Sequence, residues 1–135
     1  MIIGVDFDGV LCDPNTCAVE QGDLLSFGAP IPGAVEFLKE CLAYGHSVIV
    51  FTCRSSQEPS HAWPPVSPNA VEDSILTWLT FAGLTEAEKL KVRVCPPRWG
   101  KPACDLYLDD KAVRFEGLFP SMMTLENLRR PWWKT

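Results

Sequence analysis

The chain has 135 residues, a net charge of −5, and 47% hydrophobic against 21% charged residues, the balance of an ordinary globular chain and, by length, of one domain. The acid excess argues against general electrostatic binding to nucleic acid or to an anionic membrane. No apolar run approaches the roughly 20 residues that span a bilayer.

In chain order, Ile2 to Asp6 reads as a first strand, short and apolar until its acid. Residues 12–32 hold Asp13-Pro14-Asn15, Gly22, Gly28, Pro30 and Pro32 and read as a loop or flap. Ala34, Val35, Phe37, Leu38, Cys41 and Leu42 recur at helical spacing, with Gly45 suited to the position just past that helix. Ser47 to Phe51 is a second buried strand, ending at Thr52. Residues 55–69 carry Pro59, Pro64, Pro65 and Pro68 and read as a proline-rich loop. Val71, Ile75, Leu76, Trp78, Leu79 and Ala82 make a second helix, with Asn69 as its cap and Gly83 as its stop. Thr85-Glu86-Ala87-Glu88 matches a capping box. Lys91 to Val94 predicts a third strand, Leu106 to Leu108 a fourth ending in Asp109-Asp110, and Ser121 to Leu125 a fifth and weaker one. Residues 126–135 form the C-terminal tail.

Strands alternating with helices predict an α/β fold, a mostly parallel sheet covered on both faces. No boundary divides the chain, so a single domain over 1–135 is expected. The first strand pattern begins at once, with no signal-peptide core, and the cysteines at 12, 17, 41, 53, 95 and 104 form no C-x-x-C pair. They are read as reduced thiols of a cytoplasmic protein.

In open parallel sheets, ligands bind beyond the carboxyl ends of the strands, where strand order reverses. Asp6, Thr52 and Asp109-Asp110 each follow an apolar strand. If strands one, two and four are neighbours, these groups converge. Gathered carboxylates repel one another, and a hard divalent cation or a retained proton relieves that repulsion. Both together suit phosphoryl transfer: one of Asp6 and Asp8 attacks phosphorus and the other donates a proton to the leaving oxygen. Thr52 and Lys101 offer a hydroxyl and a cation to the phosphate oxygens.

The pieces together resemble the haloacid dehalogenase (HAD) superfamily. Its first motif, D-x-D-G-[TV], is matched by Asp6-Phe7-Asp8-Gly9-Val10; its second, a strand ending in Thr or Ser, by "VIVFTCRSS" with Thr52; its third, a lysine ahead of the fourth strand, by Lys101; its fourth, paired acids after an apolar strand, by Asp109-Asp110. The four stand in order across residues 2–110. The resemblance implies a three-layer Rossmann-like fold and a Mg²⁺-dependent phosphatase acting through an aspartyl phosphate. It implies Asp6 as nucleophile and metal ligand. It implies Asp8 as general acid/base, its main-chain carbonyl also on the metal. Thr52 would hydrogen-bond the phosphoryl group, and Lys101 would tie that group to the nucleophile. Many members carry Gly-Asp where this chain has Asp109-Asp110. Aligning the pairs favours Asp110 as the direct metal ligand, with Asp109 beside it or acting through water.

Neither residues 12–32 nor the segment between the second and third motifs has room for a separate cap domain. The resemblance is therefore to a capless member, whose open site suits a large or polymer-attached phosphate. Arg54, two residues past Thr52, resembles an arginine of phosphatases acting on polynucleotide 3′-phosphate ends and could hold a phosphate bidentately. Nucleic acid is the less favoured substrate, because sugar and capsule-synthesis phosphatases look similar here. Cys53 lies beside the site. The tail "RRPWWKT" mixes Arg129, Arg130 and Lys134 with Trp132 and Trp133; packing or a protein contact is favoured over base stacking. A phosphotransferase, a receiver domain and a catalytically silent binding module stay open as alternatives. Oligomeric state is not readable.

Overall fold

The computed structural model describes residues 1–17, 27–52, 69–95 and 101–128. Its regular elements are β1 (Ile2–Asp6), α1 (Ala34–Ala43), β2 (Ser47–Phe51), α2 (Ala70–Ala82), α3 (Glu86–Lys89), β3 (Val92–Val94), β4 (Leu106–Leu108) and α4 (Met122–Leu128), with a single 3₁₀ turn at Pro14–Thr16. The fold is mixed α/β. Four strands form one sheet in the order β3-β2-β1-β4, and every pairing is parallel. The layout is consistent with a Rossmann-like sheet.

The register explains where the core sits. Ile3 pairs with Val48 and Val5 with Val50; Val48 pairs with Val92 and Val50 with Val94. Side chains alternate across a sheet, so all of these point to one face. They join Leu38, Cys41 and Leu42 of α1 and Val71, Ile75 and Leu79 of α2 in one buried cluster. Both long helices therefore cover the same face. Among the described residues, the opposite face carries Gly4, Phe51 and Tyr107 and is crossed by residues 101–105 rather than by a helix. The expectation of helices on both faces is met on one face only among these residues.

Local chemistry sets the helix ends. After α1, Gly45 adopts φ +80° and donates to the Leu42 carbonyl, while His46 donates to Cys41. This is the paired C-terminal closure that glycine permits. The capping box at Thr85 forms in both directions with Glu88, and Glu88 also pairs with Lys39 of α1 at 3.1 Å. Asn69 occupies the cap position of α2 but makes no side-chain cap bond; its carbonyl accepts from Asp73 N–H instead.

Two expectations at the C-terminal end are corrected. Ser121 to Leu125 is not a strand: Met122–Leu128 is α4. Ser121 caps it, its hydroxyl accepting from Thr124 N–H at 3.1 Å and its carbonyl from Leu125 N–H, which commits the segment to a helix. Residues 126–128 accordingly belong to that helix and not to a tail. In the flap, residues 18–26 lie outside the described residues, but its two stems are zipped. Asp13 N–H donates to Ala29, and Ile31 N–H donates to Leu11.

Candidate active site

β1 and β2 run parallel to β3 on one side, and β4 returns to the other side of β1. Strand order therefore reverses between β1 and β4. This is the position at which open α/β sheets bind ligands, and it is where Asp6 and Asp109-Asp110 end their strands. Val5 pairs with Leu108, so one step further along the ladder Asp6 stands opposite Asp109. Carboxylate oxygens of Asp6, Asp109 and Asp110 all lie within 4.8 Å of one another.

The three acids are held differently. Asp6 is partly buried, with carboxylate oxygens of Asp109 and Asp110 within 4.8 Å. Burial first, then the hydrogen-bonding proximity of Asp110 and the charges of Asp109 and Asp110, push its carboxyl from the ordinary 3.8 up to about 8. In this geometry Asp6 keeps a proton at neutral pH. Asp109 is oriented by its own loop: Oδ1 accepts from Lys111 N–H at 2.9 Å, and Oδ2 lies 3.9 Å from Lys101 Nζ. Asp110 reaches Asp6.

Asp8 leaves the ladder. The N–H groups of Leu11 and Cys12 converge on the Phe7 carbonyl at 3.0 and 2.9 Å, and Gly9 takes φ +89°, a conformation that suits glycine. The chain thus turns sharply at Gly9. The turn carries Asp8 toward β2, where Thr52 Oγ1 donates to Asp8 Oδ2 at 3.5 Å. Thr52 is buried, the one polar residue buried with the core among the described residues. The Asp8 carboxylate is not part of the three-acid cluster, so Asp6 and Asp8 occupy distinct surroundings.

Lys101 reaches the site edge over aromatic rings. Its Nζ lies 4.1 Å from the centroid of Tyr107 and 5.8 Å from that of Phe51. The structure thus pairs Lys101 with Asp109 and Tyr107. Cys53 and Arg54 lie outside the described residues, as do residues 55–68 of the proline loop and the basic-aromatic stretch 129–135. Among the described residues, Cys12, Cys17, Cys41, Cys95 and Cys104 form no disulfide.

Tyr107 and Gly4 are the site-supporting residues that motif reading passed over. A Cβ at Gly4 would meet Cys104 Sγ at 2.8 Å and Tyr107 Cδ1 at 3.0 Å. A glycine inside a strand signals such a close approach, and that was the available clue. Comparison with protein-family models, with curated proteins and with solved structures returns no match for this chain. No helix among the described residues is long and apolar enough to cross a membrane.

Proposed function

We propose that this chain is a Mg²⁺-dependent phosphohydrolase of the HAD type, cleaving a phosphate monoester through an aspartyl phosphate on Asp6. The observation that carries the reading is the convergence of Asp6, Asp109 and Asp110 at the strand-order reversal, with Asp8 and Thr52 alongside.

The donor set fits magnesium. All three side chains offer hard oxygen ligands, and such a cation needs only one or two carboxylates besides water and substrate oxygens. Asp6 and Asp110 are the direct carboxylate ligands in this reading, and Asp109 supports them. Magnesium, when bound, supplies positive charge that offsets the acids and the transferring phosphoryl group.

The residues then divide the work. Ionised Asp6 attacks phosphorus as the ester P–O bond breaks, and the leaving oxygen takes the proton of Asp8. Asp8, now a carboxylate, accepts a proton from water, whose oxygen attacks phosphorus and releases Asp6 and phosphate. Thr52, beside Asp8, donates to a phosphoryl oxygen, and Lys101 balances charge from the Asp109 side. Neither residues 12–32 nor the segment between Thr52 and Lys101 is long enough for a separate cap domain, and an open site would suit a large or polymer-attached phosphate. The test is hydrolysis of an aryl phosphate with and without Mg²⁺, for wild type and Asp6→Asn. Activity that requires both the metal and Asp6 supports the reading, and metal-independent turnover or an active Asp6→Asn overturns it.

A further inference from the structure

We propose that Tyr107 is the positioning residue for Lys101, holding the lysine loop on the sheet and the ammonium group at the site edge. The assignment rests on the phosphoryl-transfer reading for its kinetic consequence, and on geometry alone for the placement.

Three kinds of contact converge on this side chain. Its hydroxyl donates to the Pro102 carbonyl and accepts from Cys104 N–H at 3.3 Å. Residues 102 and 104 are thereby tied to β4 from both sides of residue 103. Its ring lies beneath Lys101 Nζ at 4.1 Å, within cation–π range. It packs edge-on against Phe51, centroids 6.1 Å apart, so the ring is braced from β2. A fourth feature makes room for all of this: Gly4, opposite Tyr107 in the ladder, carries no Cβ to hold the loop away.

Lys101 has a long flexible stem, and its side chain is 47% exposed. The 3.9 Å approach to Asp109 is a weak constraint for such a group, because exposed ion pairs contribute little. The ring supplies a second, directional contact. Together they confine the ammonium to one side of the acid cluster, where it can meet a phosphoryl oxygen. Tyr107 touches neither substrate nor reacting atoms in this scheme and acts through Lys101.

The experiment uses the full chain, reductively methylated with ¹³C on its lysines, with the Lys101 signal assigned by its loss in Lys101→Arg. The wild-type methyl resonance is expected upfield of those of the other lysines through the Tyr107 ring current. Tyr107→Phe should keep most of that shift, and Tyr107→Leu should abolish it. In aryl-phosphate kinetics with unmodified protein and Mg²⁺, Tyr107→Phe, freeing the loop, should lower kcat by about 10-fold, and Tyr107→Leu by about 100-fold. An unchanged Lys101 shift in folded Tyr107→Leu overturns the proposal, as do wild-type kcat values in both variants. A wild type without any turnover counts against the phosphatase reading only, and the methyl shift then still decides the placement.

Discussion

Carboxylate oxygens of Asp6 and Asp110 lie within 4.8 Å of each other although each residue is an acid. Two charges so close repel, and burial together with that repulsion pushes the Asp6 carboxyl from 3.8 up to about 8. This proximity favours the protonated form of Asp6 wherever no cation offsets the charge.

This has a consequence for stability. Asp6 is held at about 8 in the folded chain against an ordinary 3.8. The folded state binds this proton more tightly, so the contribution is fully present below the ordinary value and is lost as pH rises through about 8. Denaturant midpoints of the metal-free protein should fall between about pH 5 and about pH 9 more steeply for wild type than for Asp6→Asn. Parallel curves would contradict the raised Asp6 carboxyl.

Magnesium should take that proton's place. Added Mg²⁺ is expected to raise the thermal midpoint of the wild type, by the equivalent of about 2.7 kcal/mol at a hundredfold excess over Kd. Asp110→Asn should abolish most of this gain and Asp109→Asn should lose less of it, since Asp109 is occupied by Lys111 N–H and Lys101. Equal losses, measured by differential scanning calorimetry, would contradict the assignment of Asp110 as direct ligand.

Thr52→Val keeps shape and removes the hydroxyl that reaches Asp8 at 3.5 Å. A drop of roughly 100-fold in kcat is expected, the scale for one lost donor to a developing oxyanion. The far-ultraviolet circular dichroism spectrum should stay unchanged. A kcat within twofold of wild type would show that Thr52 only fills the core.

Gly4→Ala should destabilise the chain by about 1–3 kcal/mol, because the new methyl meets Cys104 Sγ and Tyr107 Cδ1 at 3.0 Å or less. The damage should fall on the lysine loop as well as on the fold. The check is a denaturant midpoint read beside kcat. A fully stable variant would mean that the loop yields without cost.

Much of this site was legible because its parts are local. Ile2 to Asp6 announces a buried strand and its terminal acid, and Gly9 announces the turn that separates Asp8 from it. The apolar runs before Thr52 and Asp109 fix the other strand ends. What joins them is nonlocal. Only the return of β4 to the free side of β1 brings Asp110 to Asp6, and the sequence offers that as a condition, not a result. Tyr107 reads as one more strand residue until residues 102 and 104 are seen bonded to it. Met122 to Leu125 lacks strict alternation, and Ser121 at its head is a stronger signal, for a helix, than its apolar content is for a strand.

The central claim is that Asp6 carries the phosphoryl group. It is tested most directly by quenching a reaction of wild type with an aryl phosphate and Mg²⁺ in acid, then locating phosphate by peptide mass spectrometry. The account expects phosphate on Asp6, dependent on the metal and absent from Asp6→Asn, whose turnover falls by at least about a thousandfold. Metal-dependent turnover that persists in Asp6→Asn, or phosphate found on another residue, would contradict it.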